Sequence, residues 1–179
     1  MARRAARRRT ALLILTLTIV PAAPAAFAAT PANPQIDIDG YLLAAHQAAK
    51  QREDHRLTEE QFLAMSREPG TLVLDARSRD GFDLLHVRGA VSLPFPDITV
   101  ASLAATIPNR NKRILIYCNN NFANAPDAFP TKIATASLNI STYIALWSYG
   151  YRNVYELGPF VDLAQSKLEF EGTPSTAQP

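Results

Sequence analysis

Two short, uninterrupted apolar runs, each ending in a polar residue, constrain the fold of this chain more than any other feature. Residues 71–75 read Thr-Leu-Val-Leu-Asp, and residues 113–117 read Arg-Ile-Leu-Ile-Tyr and are followed by Cys118. Continuous apolar runs bounded by turn signals are typical of strands buried on both faces, as in parallel sheets covered by helices. The sequence therefore predicts an α/β fold with a mainly parallel sheet and helices on both faces.

Helical and extended patterns alternate around these two strands, as an α/β fold requires. Thr58-Glu-Glu-Gln61 matches a capping box, which predicts the start of a helix at this point. The other predicted elements are helices over 41–51, 80–85, 100–106, 128–138, 141–149 and 160–167, and strands over 90–93 and 153–157.

The first 28 residues have the pattern of a secretory signal peptide. Five arginines precede an apolar run over residues 11–20, and Ala26-Phe27-Ala28 fits a cleavage site. This pattern predicts a periplasmic or secreted protein with no membrane attachment after cleavage. The remaining divisions are a flexible leader with a short helix (29–56), one domain (57–170) and a loose tail (171–179).

The basic character of the chain comes from this N-terminal segment. The sequence has 18 basic and 16 acidic residues, and five arginines lie in the first 28 residues, which contain no acid. The remainder therefore has 13 basic and 16 acidic residues and a formal charge of −3. No basic stripe is left on it, which argues against a nucleic-acid partner.

Cys118 is the single cysteine and the strongest candidate for chemistry. A lone thiol cannot form an internal disulfide, so it is either an inert buried residue or a reactive one. Ligands of open α/β sheets bind outside the carboxyl ends of the strands, where loop amides and helix N-termini converge. The position after strand 113–117 therefore favours a thiolate nucleophile, whose persulfide the same amides would stabilise. A buried apolar role is the alternative.

The loop after the cysteine is the predicted substrate-binding loop. Its asparagines are uncharged donors suited to an oxyanion, but asparagine is equally common in loops that need left-handed backbone. The loop residues are Asn119, Asn120, Asn121, Phe122, Ala123 and Asn124.

Four further polar or flexible positions are interpreted as structural support. Asp75 and Arg77 can pair to fix the loop after the first strand. His86 is interpreted as a hydrogen-bonded loop anchor and not as a general base, and Gly89 permits a close approach or a positive φ.

Several separated motifs, in this order, resemble the rhodanese domain over about residues 57–170. The resemblance implies a doubly wound sheet and an exported, bacterial-type, single-domain sulfurtransferase with Cys118 as its catalytic residue. Sulfur would pass from thiosulfate, a thiol persulfide or polysulfide to a thiophilic acceptor such as cyanide or a thiol. The segments that carry the resemblance are Leu72–Ser78, Phe82, His86–Ala90, Leu93–Pro94, Ile107–Pro108, Ile114–Cys118 and Gly150–Leu157.

The chain departs from the rhodanese pattern in one chemically important respect. Rhodanese-like active loops carry a basic residue close after the cysteine to bind an anionic donor, whereas residues 119–131 contain no Lys or Arg. We therefore expect weak thiosulfate activity. The stretch between Cys118 and Gly150 is also long for the family, which predicts an enlarged rim.

Two other functions compete with sulfur transfer. A cysteine phosphatase of related fold needs an arginine six positions after the nucleophile, and Asn124 stands there. A non-catalytic binding or thiol redox-sensing module is the second alternative. Sulfur transfer requires an accessible Cys118. The sequence indicates no metal site, no organic cofactor and no particular protein partner.

Overall fold

The two apolar runs form neighbouring strands at the centre of a parallel sheet, as predicted. The computed structural model describes residues 33–173. Its strands are β1 (Arg56–Leu57), β2 (Thr71–Asp75), β3 (His86–Val87), β4 (Val91–Ser92), β5 (Arg113–Tyr117), β6 (Phe122–Ala123), β7 (Val154–Leu157), β8 (Val161–Asp162) and β9 (Phe170–Glu171).

One five-stranded sheet has the spatial order β1-β7-β5-β2-β4, and all of its strand pairs are parallel. β2 and β5 pair along their whole length. β3 pairs with β9 and β6 pairs with β8 outside this sheet. The α-helices around it are α1 (Ile38–Arg52), α2 (Glu59–Ser66), α3 (Arg79–Leu84), α4 (Val100–Thr106) and α5 (Leu138–Ser148).

Alternating residues of β5 enter two hydrophobic cores, one on each face of the sheet. Ile114 and Ile116 pack in the core that also contains side chains of α1, α4 and α5. Leu115 and Tyr117 pack in the second core, which includes Phe62 of α2. Because strand residues alternate between faces, a strand that is apolar throughout requires cover on both sides. The predicted α/β class with helices on both faces is confirmed.

The predicted helix starts are confirmed where capping chemistry marked them. The Thr58 hydroxyl accepts a hydrogen bond from the Gln61 N–H at 3.2 Å, and the Gln61 side chain accepts from the Thr58 N–H at 2.9 Å. α1 begins three residues before the predicted position 41, because Asp37 caps it through the Gly40 N–H at 2.8 Å. α1 packs on α5, where Trp147 Nε1 donates to Gln47 Oε1.

Two helix predictions are wrong. Residues 128–138 form a turn, irregular chain and one 3₁₀ turn (Ala134–Ala136), and α5 is a single helix that begins at Leu138. Pro130 lacks an N–H and disfavours helical backbone at the residue before it. Residues 160–167 form β8 and a 3₁₀ turn, because β8 pairs with β6.

The predicted signal peptide, 1–28, lies outside the described residues, as does most of the predicted tail, 171–179. The described chain from Ile36 onward belongs to one compact unit. Among the helices of residues 33–173, none combines the length and the apolar character needed to span a membrane.

A buried ion pair ties the carboxyl end of β2 to the segments around it. Arg77 Nη2 lies 2.6 Å from Asp75 Oδ2, and both side chains are almost completely enclosed. Two further guanidinium N–H groups donate to the carbonyl oxygens of Ala128 and Leu85, each at 2.6 Å. Two loops distant in sequence are thereby held by one side chain.

Tyr117 connects this pair to β5 and β3. Its hydroxyl donates to Asp75 Oδ2 at 2.6 Å and accepts from the Val87 N–H at 3.0 Å. Burial, followed by the nearby Asp75 charge, raises the pKa of Tyr117 well above its usual value, so the phenol keeps the proton that it donates. The Arg77 guanidinium also lies 4.1 Å from the centre of the Phe129 ring.

Removing one partner of this pair should destabilise the fold strongly. Asp75→Asn leaves the Arg77 charge buried without its counter-ion, which should lower the free energy of unfolding by about 3–5 kcal/mol. Tyr117→Phe, which leaves the Val87 N–H without its acceptor, should lower the free energy of unfolding by about 1–3 kcal/mol. Urea denaturation measures both.

Arg79→Met is the matched control, because it breaks an exposed pair with Asp83 on α3. Such a pair contributes about 0.3–0.5 kcal/mol. If Asp75→Asn lowers the free energy of unfolding no more than Arg79→Met does, the central role of the buried pair is contradicted.

Candidate functional site

Cys118 lies at the carboxyl end of β5, the middle strand of the sheet. This is the position that the sequence predicted. Its solvent exposure differs from the prediction, because the residue is only 1% exposed. The expectation of an accessible thiol is therefore wrong for this conformation, and a reagent reaches the sulfur only after a local opening.

Two groups contact the Cys118 sulfur. The Ser137 hydroxyl oxygen lies 3.3 Å from Sγ, and either group can donate the proton. The Asn120 N–H donates to Sγ at 3.4 Å. These are the hydrogen-bond partners of the sulfur within residues 33–173, so a thiolate formed here has one backbone donor and one hydroxyl donor.

The loop after Cys118 does not curl into a ring of amides around the sulfur. Asn119–Asn121 forms a 3₁₀ turn, and the chain then enters β6, which pairs in parallel with β8. Asn121 is turned inward: its Oδ1 accepts from the Cys118 N–H at 2.9 Å, and its Nδ2 donates to the Leu157 carbonyl at 2.8 Å. This asparagine holds the cysteine backbone to the end of β7.

Two residues of the predicted substrate-binding loop differ in how they compare with the prediction, namely Phe122 and Asn124. Phe122 is buried in an aromatic cluster, with ring centres 4.7 Å from Phe129 and 5.2 Å from Phe170. It belongs to the core and not to an open binding surface. Asn124 has φ of 64°, which matches the left-handed interpretation of the asparagines.

A segment over residues 130–137, here named the cover segment, contacts the thiol through its last residue and the loop after Cys118 through its middle. Its last residue is Ser137, and all residues from 130 to 136 are exposed. Asn120 holds the middle of the segment: its Nδ2 donates to the Lys132 carbonyl at 2.6 Å, and its Oδ1 accepts from the Lys132 N–H at 3.3 Å. Few buried contacts oppose its opening, which is typical of locally mobile elements.

His86 and Gly89 have the geometry expected of structural residues. His86 Nδ1 lies 2.7 Å from the Phe82 carbonyl oxygen, and its ring stacks on that of Phe82. Gly89 has φ of 76°, and its N–H donates to Glu171 Oε1 at 2.9 Å. This hydrogen bond is the main cause that lowers the pKa of Glu171. Both residues anchor β9 beside β3.

A cleft of about 590 Å³ adjoins the thiol region. Its wall includes Asn119 and Leu138, the residues that directly follow Cys118 and Ser137. Arg79, also in the wall, is neutralised by Asp83 at 2.8 Å. The wall's charged side chains that form no ion pair in the described part of the chain are Asp80, Asp97, Asp127 and Lys132. Three acids and one base give this group a formal charge of −2.

The family comparison agrees with this architecture. The rhodanese-like domain family matches residues 58–158. The chain belongs to the rhodanese-like family. Sulfurtransferases occur in this family beside many non-catalytic members. Among curated proteins, none matches the sequence significantly.

Three solved structures are similar to this chain at low sequence identity. The rhodanese-like domain of an Anabaena protein is 19% identical, with a TM-score of 0.49, and the alignment covers 70% of this chain and 84% of that one. A Bacillus halodurans protein is 18% identical, with a TM-score of 0.49, and the alignment covers 74% of this chain and 87% of that one. A rhodanese from E. coli, solved with anions, is 19% identical, with a TM-score of 0.40, and the alignment covers 57% of this chain and 99% of that one.

The sequence interpretation missed two residues of this rhodanese-like site. Ser137 lies 19 positions after Cys118 and was placed inside a predicted helix, so no local spacing related it to the thiol. Lys132 lies one position beyond the stretch that lacks basic residues, and its backbone, not its charge, contacts the loop. Pro130, which breaks the predicted helix, was the available signal for both.

Cys118 should react slowly in the native protein. Because the thiol is enclosed, we expect alkylation by iodoacetamide to be at least about tenfold slower in buffer than in urea. Asn120→Ala, which removes both side-chain hydrogen bonds to Lys132, should raise the native rate by about fivefold to thirtyfold, since each lost hydrogen bond of ~1 kcal/mol changes a population about fivefold. Mass spectrometry of the single cysteine measures the rates.

Asn109→Ala is the control for the loss of an exposed asparagine that accepts a local backbone hydrogen bond, here from Asn111. Its alkylation rate should equal that of the unmodified chain. A native rate equal to the rate in urea would show that the thiol is open in solution.

Proposed function

We propose that this protein is a sulfurtransferase or persulfide carrier in which Cys118 holds the transferred sulfur. The observation that carries the proposal is the position of the only thiol. It lies at the carboxyl end of the middle strand, with the Asn120 N–H and the Ser137 hydroxyl directed at the sulfur. Donors at this point stabilise a thiolate and the persulfide anion formed from it.

The proposed reaction has two displacements. The Cys118 thiolate attacks the outer sulfur of a donor: a new S–S bond forms, the donor's own bond to that sulfur breaks, and the leaving group keeps the electron pair. Thiosulfate would release sulfite, and a thiol persulfide would release a thiolate. Cyanide or a thiol then attacks the outer sulfur of the Cys118 persulfide, which regenerates the thiolate. No external oxidant or reductant is needed.

The charges of the cleft favour donors with little negative charge. Thiosulfate is a dianion, whereas residues 119–131 contain no basic residue and the unpaired charged groups of the wall sum to −2. Like charges in a cleft lower the local concentration of an anion. A zwitterionic thiol persulfide such as that of cysteine therefore suits this site better than thiosulfate.

The proposed setting is outside the cytoplasm. The basic and apolar residues before Ala28 support export and cleavage, after which the domain would act as a periplasmic or secreted protein. Its partners would be the small sulfur donor and acceptor, with no nucleic acid and no membrane.

The second candidate is a non-catalytic binding or redox-sensing module, and burial of the thiol supports its binding form, since a redox sensor needs an accessible thiol. A cysteine that is 1% exposed cannot meet a donor without a local opening of the structure around it. The two candidates differ in a single respect, namely whether opening occurs often enough for Cys118 to take up sulfur.

The deciding experiment is mass spectrometry of the purified chain after incubation with cysteine persulfide, polysulfide or thiosulfate. We expect a gain of one sulfur atom, faster with cysteine persulfide than with thiosulfate by about tenfold or more. Cyanide should remove the added sulfur as thiocyanate. Cys118→Ser should gain nothing with any donor.

Absence of any gain, in protein whose thiol is alkylated after brief exposure to urea, would reject sulfur transfer and favour the binding or redox module. A gain that persists in Cys118→Ser would place the sulfur elsewhere and reject the assigned nucleophile.

A further inference from the structure

The residue that begins α5 differs from its counterparts on the other helices. Among the five α-helices of the described chain, the first four have an N-cap side chain that accepts a backbone N–H within the first turn. These N-cap residues are Asp37, Thr58, Ser78 and Thr99. Ser137 occupies the same position on α5, yet its side chain makes no capping hydrogen bond.

The Ser137 hydroxyl is directed instead at Cys118. Serine is among the preferred N-cap residues, and the loss of its capping bond normally costs stability. Here the oxygen lies 3.3 Å from Sγ, across a separation of 19 residues. The Ser137 side chain therefore makes no capping hydrogen bond and contacts the single thiol of the chain instead.

We propose that Ser137 is a second catalytic residue, which donates a hydrogen bond to the ionised sulfur of Cys118. This inference rests on the proposed function. In the neutral thiol either partner can donate, but a thiolate has no proton, so after ionisation the hydroxyl must be the donor. A hydrogen bond to a charged acceptor is stronger than one between neutral groups. Ser137 therefore favours the reactive form of Cys118.

Two features of the surroundings strengthen this role. Ser137 immediately precedes α5, a helix of 11 residues, whose N-terminal end carries a partial positive charge that also favours an anion. In addition, residues 119–131 contain no basic residue that would otherwise stabilise the thiolate. With the Asn120 N–H at 3.4 Å, the hydroxyl completes a pair of donors on the sulfur.

Ser137 also ends the cover segment, so its hydrogen bond links ionisation to closure. A negatively charged sulfur would hold the segment more tightly than a neutral one, because the Ser137–Cys118 contact becomes charge-assisted. Access and ionisation are therefore separate quantities, and the test must measure both.

The test compares Ser137→Ala, Ser137→Thr and Thr99→Ala with the unchanged full chain. The rate of Cys118 alkylation by iodoacetamide is followed from pH 5 to pH 11, where the limiting rate at high pH reports access and the pH midpoint reports ionisation. Single-turnover loading with cysteine persulfide at pH 7 is measured in parallel. Thr99→Ala controls for the loss of an N-cap, since Thr99 caps α4 through the Ser102 N–H.

In Ser137→Ala we expect the midpoint to move up by about one pH unit and the loading rate to fall about tenfold, the effect of one hydrogen bond to a charged group. Ser137→Thr keeps the hydroxyl and should restore both values to within about twofold of the unchanged chain. Thr99→Ala should lower the urea midpoint and leave the alkylation profile unchanged.

An unchanged midpoint in Ser137→Ala would overturn the role of Ser137, whatever happens to the limiting rate, because a purely structural serine changes access alone. Failure of the proposed function gives a different result. In that case the unchanged chain takes up no sulfur, while the midpoint still moves in Ser137→Ala.

Discussion

The buried pair of Asp75 and Arg77 is the interaction on which the arrangement of this domain depends. A charge removed from water needs a counter-charge and partners for its remaining hydrogens, and Arg77 finds these in Asp75 and the carbonyls of Ala128 and Leu85. Each partner belongs to a different segment at the carboxyl edge of the sheet. Satisfying one guanidinium therefore fixes the chain that precedes the cover segment and the end of α3.

Cys118 lies at the boundary between a rigid and a weakly held part of the molecule. Beneath it, β5 is paired on both sides and buried on both faces. Above it, the cover segment is exposed and held by the Asn120–Lys132 contacts and the Ser137 hydroxyl. Opening free energies follow local packing, so we expect the segment to open at a lower cost than the strand that positions the thiol. Access to Cys118 can then change while the position of the residue stays fixed.

The sequence was most informative where the physics is local. β2, β5 and α4 were predicted with correct bounds, because an apolar run with clear breaks, or a threonine before a helix, is decided within a few residues. The prediction failed over 128–138, where Pro130 and the long-range contacts of Asn120 outweigh helical propensity. Cys118 was placed correctly, but its burial and its contact with Ser137 come from tertiary structure and not from any local pattern.

The enclosure of Cys118 also sets how long the thiol survives. Peroxide must reach a thiolate to convert it to sulfenic acid, and further oxidation to the sulfinic and sulfonic acids is largely irreversible. Since the sulfur is enclosed in the closed state, the frequency of opening limits this damage just as it limits productive encounters. A looser cover would admit reagents of every kind more often and would shorten the working life of the thiol. The hydrogen bonds of Asn120 and Ser137 thus set the balance between access and durability.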